Sequence, residues 1–283
     1  MNDPIWQAGR FQLNLHHPIV MGIVNVTPDS FSDGGLHGDT WSAMAHCEKL
    51  LKEGAQILDI GGESSRPGAP ELSAAEEWSR IGSLVRDAIG LRVPISVDTY
   101  KPETMAKALD LGADIINDIR ALQEPGAVDV VSQHPSCGVC LMHMQGKPDS
   151  MQAAPSYEDP VLEVKYFLED RAQALIAKGV AKSRITLDPG YGFGKTPEHN
   201  LSLLQRQREI LELGYPLLIG WSRKSTIGVI TGRPVEQRLA GSLAAALASI
   251  QNGARVIRVH DVAETVDVIK VWTAAGLVDE SFI

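Results

Sequence analysis

The side chains best placed to do chemistry in this sequence stand at the ends of short apolar runs. Asp98 closes Ile95-Ser96-Val97-Asp98, and Asp188 closes Ile185-Thr186-Leu187-Asp188. Asn25 lies near the end of a run that starts at Ile19; Arg258 and His260 end one that starts at Val256; Ser222 and Lys224 follow one that starts at Leu217. A buried carboxylate without a partner is expensive, so Asp98 and Asp188 should meet donors from the protein or from a ligand. Guanidinium, ammonium and imidazole groups suit an anion. Together these groups could hold a small anionic molecule that also carries N–H donors. Asp59, alone on its run, reads instead as a structural acid of the kind that caps a helix or accepts from a loop.

For these groups to meet, the elements beneath them must converge. Eight β-branched runs recur, at Ile19–Val26, Ile57–Gly61, Ile95–Asp98, Ile115–Asp118, Val139–His143, Ile185–Asp188, Leu217–Ser222 and Val256–His260. Helical patterns separate them: Val161, Val164, Leu168 and Leu175 share a face, as do Leu239, Leu243, Leu247 and Ile250, and Val262, Val266 and Ile269. Gly54, Gly112, Gly179, Gly214 and Gly253 stand where a helix must stop in a left-handed residue before the next strand. Eight β-α alternations without a linker predict a single (β/α)8 TIM barrel, one domain over residues 1–283 with its core at about 18–276. A doubly wound open sheet is the alternative.

Strand side chains alternate, so parity assigns faces. Ser96 and Asp98 share one side, as do Thr186 and Asp188. Met21, Ile23 and Asn25 share another; so do Leu218, Gly220, Ser222 and, if that strand continues, Lys224; and so do Arg258 and His260. All the polar members lie at C-terminal strand ends, where barrels of this class build their sites.

Composition narrows the partners. Twenty-six basic against 35 acidic residues give a net charge of −9 over 283 residues, which argues against nucleic-acid or anionic-membrane binding. No apolar run reaches the roughly 18 residues of a membrane span, and Met1-Asn2-Asp3-Pro4 lacks the character of a signal peptide. Three cysteines cannot all pair within one chain, which suits a reducing cytoplasm. His134, Cys137, Cys140 and His143 are spaced like a metal or redox motif, but Cys140 and His143 have opposite parity and should not converge.

The loops complete a pattern. Met21–Gly35, Gly61–Gly68, Ser96–Thr99, Ile116–Asp118, Leu187–Lys195, Ser222–Ser225 and Arg258–Val262 appear in one order along nearly the whole chain. In this the chain resembles the dihydropteroate synthases of the pterin-binding enzyme family, which join a dihydropterin diphosphate to 4-aminobenzoate. The resemblance implies that Asp98, Asn117, Asp188 and Lys224 hold the pterin, with Met142 and Phe193 packed near its flat ring. It implies that Asn25 reaches the diphosphate through Mg²⁺, and that Arg258 and His260, with Ser65 and Arg66, hold its oxygens. Phe31, Ser65, Arg66, Pro67 and Ser222 would form the aminobenzoate site. It further implies a homodimer through outer helices.

Two departures from the family pattern are small. Ser65 stands where many relatives carry Thr, and Tyr191, standing where Phe is common, is expected to add a hydroxyl near the site. The rival readings are a pterin-dependent methyltransferase, which would need no diphosphate, and an inactive pterin-binding paralogue. The second would be expected to lose Asp98, Lys224 or Arg258, and this chain keeps all three.

Overall fold

A computed structural model describes residues 4–27, 35–64, 68–69, 71–146 and 151–277, with side chains from residue 40 in the second stretch. Ten strands and ten α-helices are formed by the described residues. A two-stranded antiparallel hairpin, β1 (Ile5–Ala8) and β2 (Phe11–Asn14), comes first. The parallel strands are then β3 (Ile19–Asn25), β4 (Ile57–Gly61), β5 (Ile95–Asp98), β6 (Ile115–Asp118), β7 (Gly138–Met142), β8 (Ile185–Asp188), β9 (Leu218–Ile219) and β10 (Val256–Val259). They pair in the order β8-β7-β6-β5-β4-β3-β10-β9. A parallel bridge between Leu187 and Leu217 joins the two ends, reinforced by Leu187 N–H to Pro216 O at 3.0 Å. The sheet is therefore a barrel, as the alternation of runs predicts.

Helices follow each strand on the outside: α1 (Gly35–Glu53), α2 (Ala74–Ala88), α3 (Pro102–Leu111), α4 (Ala127–Gln133), α5 (Pro160–Ala177), α6 (Pro197–Gln205) with α7 (Gln207–Leu211), α8 (Ser225–Thr231) with α9 (Leu239–Gln251), and α10 (Val262–Ala274). Their starts and stops are chemical. Ser73 and Glu76 form a capping box on α2, and the Asp159 carboxylate accepts from Val161 and Leu162 N–H on α5. All five glycines expected in left-handed positions before strands adopt positive φ.

Three strands are shorter than the apolar runs suggest, β3 by one residue at Asn25. β9 stops at Ile219 and β10 at Val259, because the chain leaves the ladder to turn into α8 and α10. The face of α9 also differs from expectation. Ser242, Ala246, Ser249 and Ile250 are its buried residues, while Leu239 is exposed. Of the expected row, Ile250 is buried and Leu247 packs against the core, so the buried face is rotated toward Ser242, Ala246 and Ser249 and only Leu239 is left exposed.

The barrel interior is layered. Ile19, Met21, Ile57, Ile115, Cys140, Leu218 and Val256 form an apolar floor together with Trp6, Ala8 and Leu15. The hairpin thus plugs the N-terminal end, a feature that no sequence pattern announced. Trp6 donates to Arg184 O at 3.0 Å, and Arg10 forms a two-pronged pair with Asp114 at 2.9 and 2.8 Å. Replacing Trp6 by Ala should cost about 3–5 kcal/mol in denaturant unfolding, through lost burial plus a cavity. The plug lies at the opposite end from the polar strand ends, so ligand affinities should stay at wild-type values; an unchanged unfolding midpoint would show that the hairpin is not part of the core.

Candidate active site

Above the apolar floor, the inward side chains become polar. Asp59 on β4 stands beside Ser96 on β5, Asn117 on β6 pairs with Asp98 on β5, and Arg258 on β10 pairs with Met21 on β3. The Arg258 guanidinium bridges two acids: Nε donates to Asp59 Oδ2 and Nη2 to Asp98 Oδ2, both at 2.6 Å. Asn117 Nδ2 donates to the same Asp59 oxygen at 3.1 Å. Across the mouth, Asp188 ends β8 and accepts from Gly190 N–H at 2.7 Å.

Lys224 does not arrive on a strand. It is the residue before α8, delivered by a turn in which Arg223 is left-handed (φ 62°). The strained Arg223 is held by the carboxylate of Asp261, by N–H to Ser242 Oγ at 3.0 Å and by Arg238 donating to its carbonyl at 3.1 Å. Lys224 Nζ then reaches into the mouth, donating to Tyr191 O and lying 4.4 Å from the centre of the Phe193 ring. Gly220 faces both cations: a side chain there would begin 3.9 Å from Lys224 Nζ and from Arg258 Cβ, an ordinary contact. The same turn brings Ser222 Oγ to 2.9 Å from His260 Nδ1, and His260 N–H donates back to Ser222 Oγ at 3.2 Å. Met142 and Phe193 sit with Tyr100, Ile119, Met144 and Met151 in an apolar cluster at the rim.

Three inward carboxylates (Asp59, Asp98, Asp188) thus share two cations (Arg258, Lys224), and the charges do not balance. Burial pushes the Asp98 carboxyl up to about 7, with the Arg258 cation pulling the other way and Asp59 adding repulsion. Burial likewise raises Asp188 against the pull of Lys224. Lys224 is lowered to about 8 by burial, with Asp188 opposing. Burial also works against the Arg258 cation, but Asp59 and Asp98 outweigh it and hold the guanidinium above its ordinary value. The arrangement suits a ligand that presents several N–H donors or gains positive charge as it reacts.

A model of the pterin binding enzyme family matches residues 21–260. A dihydropteroate synthase from Neisseria meningitidis serogroup C is 53% identical over 277 residues, covering 96% of this chain and 98% of that protein. The chain belongs to the dihydropteroate synthase family. Solved members superpose closely. One from Xanthomonas albilineans with 4-aminobenzoic acid has a TM-score of 0.92 at 48% identity, covering 98% of this chain and 100% of that one. One from Burkholderia cenocepacia complexed with 7,8-dihydropteroate has a TM-score of 0.87 at 45% identity, covering 96% of each.

Of the residues that the family resemblance pointed to, Asn25, Asp98, Asn117, Met142, Asp188, Phe193, Ser222, Lys224, Arg258 and His260 all belong to the C-terminal ends of the strands or the turns that follow them. Phe31, Ser65, Arg66 and Pro67 lie outside the described residues. Asp59 corrects the structural-acid reading: its partner is the Arg258 guanidinium inside the mouth rather than a helix or loop. Its even spacing from Ile57 and Gly61 marks the face it shares with them but not the partner it meets. Tyr191 is a second correction. Its hydroxyl donates to Gln207 Oε1 on α7 at 3.0 Å and its ring packs on Trp221, so only its backbone carbonyl faces the mouth.

The spaced cysteines and histidines find separate partners. Cys140 joins the barrel floor, and Cys137 Sγ accepts from Arg184 at 3.0 Å. His134 Nδ1 accepts from Cys137 N–H at 2.9 Å, and His143 Nδ1 meets Lys195 Nζ at 2.9 Å.

The raised Asp98 pKa has a consequence for stability. Its folded value, about 7, exceeds the ordinary 3.8, so the folded state holds the proton more tightly. That stabilisation is complete below the ordinary value and is lost as pH rises through about 7. Asp98→Asn should therefore gain urea stability relative to wild type on going from pH 5 to pH 8 (both about one to two units from the two limits). A difference independent of pH would contradict the shift.

Proposed function

We propose that this chain catalyses the dihydropteroate synthase reaction: the methylene carbon of a dihydropterin methyl diphosphate loses diphosphate and forms a bond to the nitrogen of 4-aminobenzoate. The observation that carries this reading is the mouth in which Asp59, Asp98, Asn117, Asp188, Arg258 and Lys224 converge. Two solved relatives, one with 4-aminobenzoic acid and one complexed with 7,8-dihydropteroate, support this reading at the two ends of the reaction.

In this reading Asp98, Asn117 and Asp188 accept from and orient the amino and ring N–H groups of the pterin. Lys224 donates to its polar edge, and Met142 and Phe193 cover its face. An arylamine is uncharged at neutral pH and nucleophilic unaided, so no strong base is required. The demanding event is departure of the diphosphate. Arg258 and His260 hold its oxygens, and fixed charges aimed at a developing charge commonly supply the largest catalytic contribution. As the C–O bond breaks, positive charge grows on the pterin, and the surplus carboxylate of the mouth stabilises it. The amine then attacks the methylene carbon and gives up one proton. Ser222, with Phe31, Ser65, Arg66 and Pro67 of the first two loops, forms the aminobenzoate pocket.

Asn25 ends β3 beside Gly61, where a side chain would begin 3.8 Å from Asn25 Oδ1. No group of three or more His, Cys, Asp or Glu side chains that could hold a metal occurs among the described residues. A single amide oxygen matches Mg²⁺ carried largely by substrate oxygens and water, the usual habit of this ion with phosphates. Bound there, Mg²⁺ would withdraw charge from the leaving diphosphate.

The deciding experiment measures diphosphate release from the pterin diphosphate with and without 4-aminobenzoate. Release with formation of dihydropteroate is expected, and methyl transfer without a diphosphate requirement would favour the methyltransferase alternative. Asp59→Asn leaves Arg258 less firmly held and should lower kcat/KM for the pterin diphosphate about 10- to 100-fold, the usual effect of a small misplacement of a reactive contact. Wild-type kinetics in that variant would remove Asp59 from the account.

We also infer a homodimer. Val229 and Ile230 on α8 are 68% and 58% exposed, and Val235 and Leu239 beside them are exposed as well. Together these residues make an exposed apolar face on the outer helices. Light scattering should give the mass of two chains, falling to one in Ile230→Asp; a monomeric wild type would refute it. Three unbridged, buried cysteines support the cytoplasm as its compartment. No helix among the described residues is long and apolar enough to cross a membrane.

A further inference from the structure

The loop that leaves β8 contains a lysine for which the reaction has no task. Lys195 is 2% exposed, yet its ammonium lies among oxygen and nitrogen acceptors. Nζ is 2.9 Å from His143 Nδ1, 3.0 Å from Gly190 O, 3.0 Å from Phe193 O and 3.3 Å from His143 O. The carbonyl oxygens come from two different loops, His143 from the exit of β7 and the others from the exit of β8. Carbonyl dipoles aimed at one point repel unless a donor stands there. The His143 ring can accept at Nδ1 because it is neutral: burial, and then the neighbouring Lys195 charge, hold it well below its ordinary pKa. Its Nε2 therefore carries the ring proton.

The two loops meet backbone against backbone. A side chain at Gly190 would begin 1.9 Å from His143 O, and one at Gly194 would begin 2.3 Å from Gln145 O. Both glycines are left-handed, with φ of 70° and 59°. Such close approach leaves no slack, so any shift of one loop moves the other. The segment clamped in this way runs between two groups assigned to the pterin. At one end Asp188 accepts from Gly190 N–H, and at the other the Phe193 ring lies against Lys224. Lys195 itself stays behind that surface, its ammonium taken up by the loop carbonyls.

We propose that Lys195 is a positioning residue for the pterin half of the site: its buried Nζ, donating to acceptors on both sides, locks the β7 and β8 exit loops together, so that Asp188 and Phe193 address one ligand. Burial pulls the Lys195 amine well below its ordinary pKa, with Asp188 opposing, so the N–H donors rather than a full charge are what the carbonyls require. This inference rests on the reaction assigned above.

Lys195→Met keeps the length and removes the Nζ donors. With the full-length chain, the expected result is a KM for the pterin diphosphate and a calorimetric Kd for 7,8-dihydropteroate both raised about tenfold or more, the scale seen when a supporting partner is removed. The KM for 4-aminobenzoate should stay within about twofold, since Ser222 is held by His260 rather than by the clamped loops. Wild-type pterin affinity in the variant, or an equal loss for both substrates, overturns the proposal. If Lys195→Met does not fold, His143 decides. His143→Gln keeps an acceptor facing the ammonium and should hold most of the pterin affinity, while His143→Leu should lose it; matching affinities in the two variants overturn the proposal. Turnover by the wild-type chain is the control that separates these outcomes from failure of the assigned reaction.

Discussion

A guanidinium that serves two acids inside a barrel is the interaction around which this molecule is arranged. Asp59 is fully buried and Asp98 nearly so, and burying either charge alone would cost several kcal/mol. Arg258 offsets both, at equal distances of 2.6 Å. Because it comes from the last strand and its partners from the second and third parallel strands, the pair can form only once β10 has docked beside β3. Stability and the binding surface therefore share atoms. The same triad leaves one surplus carboxylate among the mouth charges, so the protein keeps a modest electrostatic tension at the place where positive charge would develop.

Much of this was legible in the sequence because barrel strands obey a period of two. Ser96 and Asp98, or Thr186 and Asp188, could be placed facing inward from parity alone, and the inward polar groups then had to converge. Five helix-stopping glycines marked the approach to their strands with equal clarity. Asp59 escaped because an isolated acid on a strand carries no local signal of its partner, which lies 199 residues away. Lys224 was expected on a strand face, but the strand ends early and a left-handed Arg223 redirects the chain. That turn is held by Asp261, Ser242 and Arg238, and no local pattern gathers those three residues.

The hairpin plug and the face of α9 were illegible for a different reason. Trp6 looks like any aromatic near a chain end until the open floor of a barrel needs filling. In α9, hydrophobicity suggested a row from Leu239 to Ile250, whereas the buried face is shifted to Ser242, Ala246, Ser249 and Ile250. One of its serines, Ser242, holds the turn that bears Lys224, a task that apolar periodicity does not reveal.

The closure between β8 and β9 gives the cylinder a direction of weakness. Every other junction of the barrel is a ladder, even the one between β9 and β10, which pairs two residues on each side. At this seam a single bridge and the acceptors offered by Pro216 do the joining. Cooperative opening starts where the fewest backbone bonds must break. Asp188 rides on one lip of the seam, and the turn bearing Lys224 on the other. An opening at this seam would therefore move that acid and that amine apart, whereas the Arg258 triad, held on laddered strands, would keep its spacing.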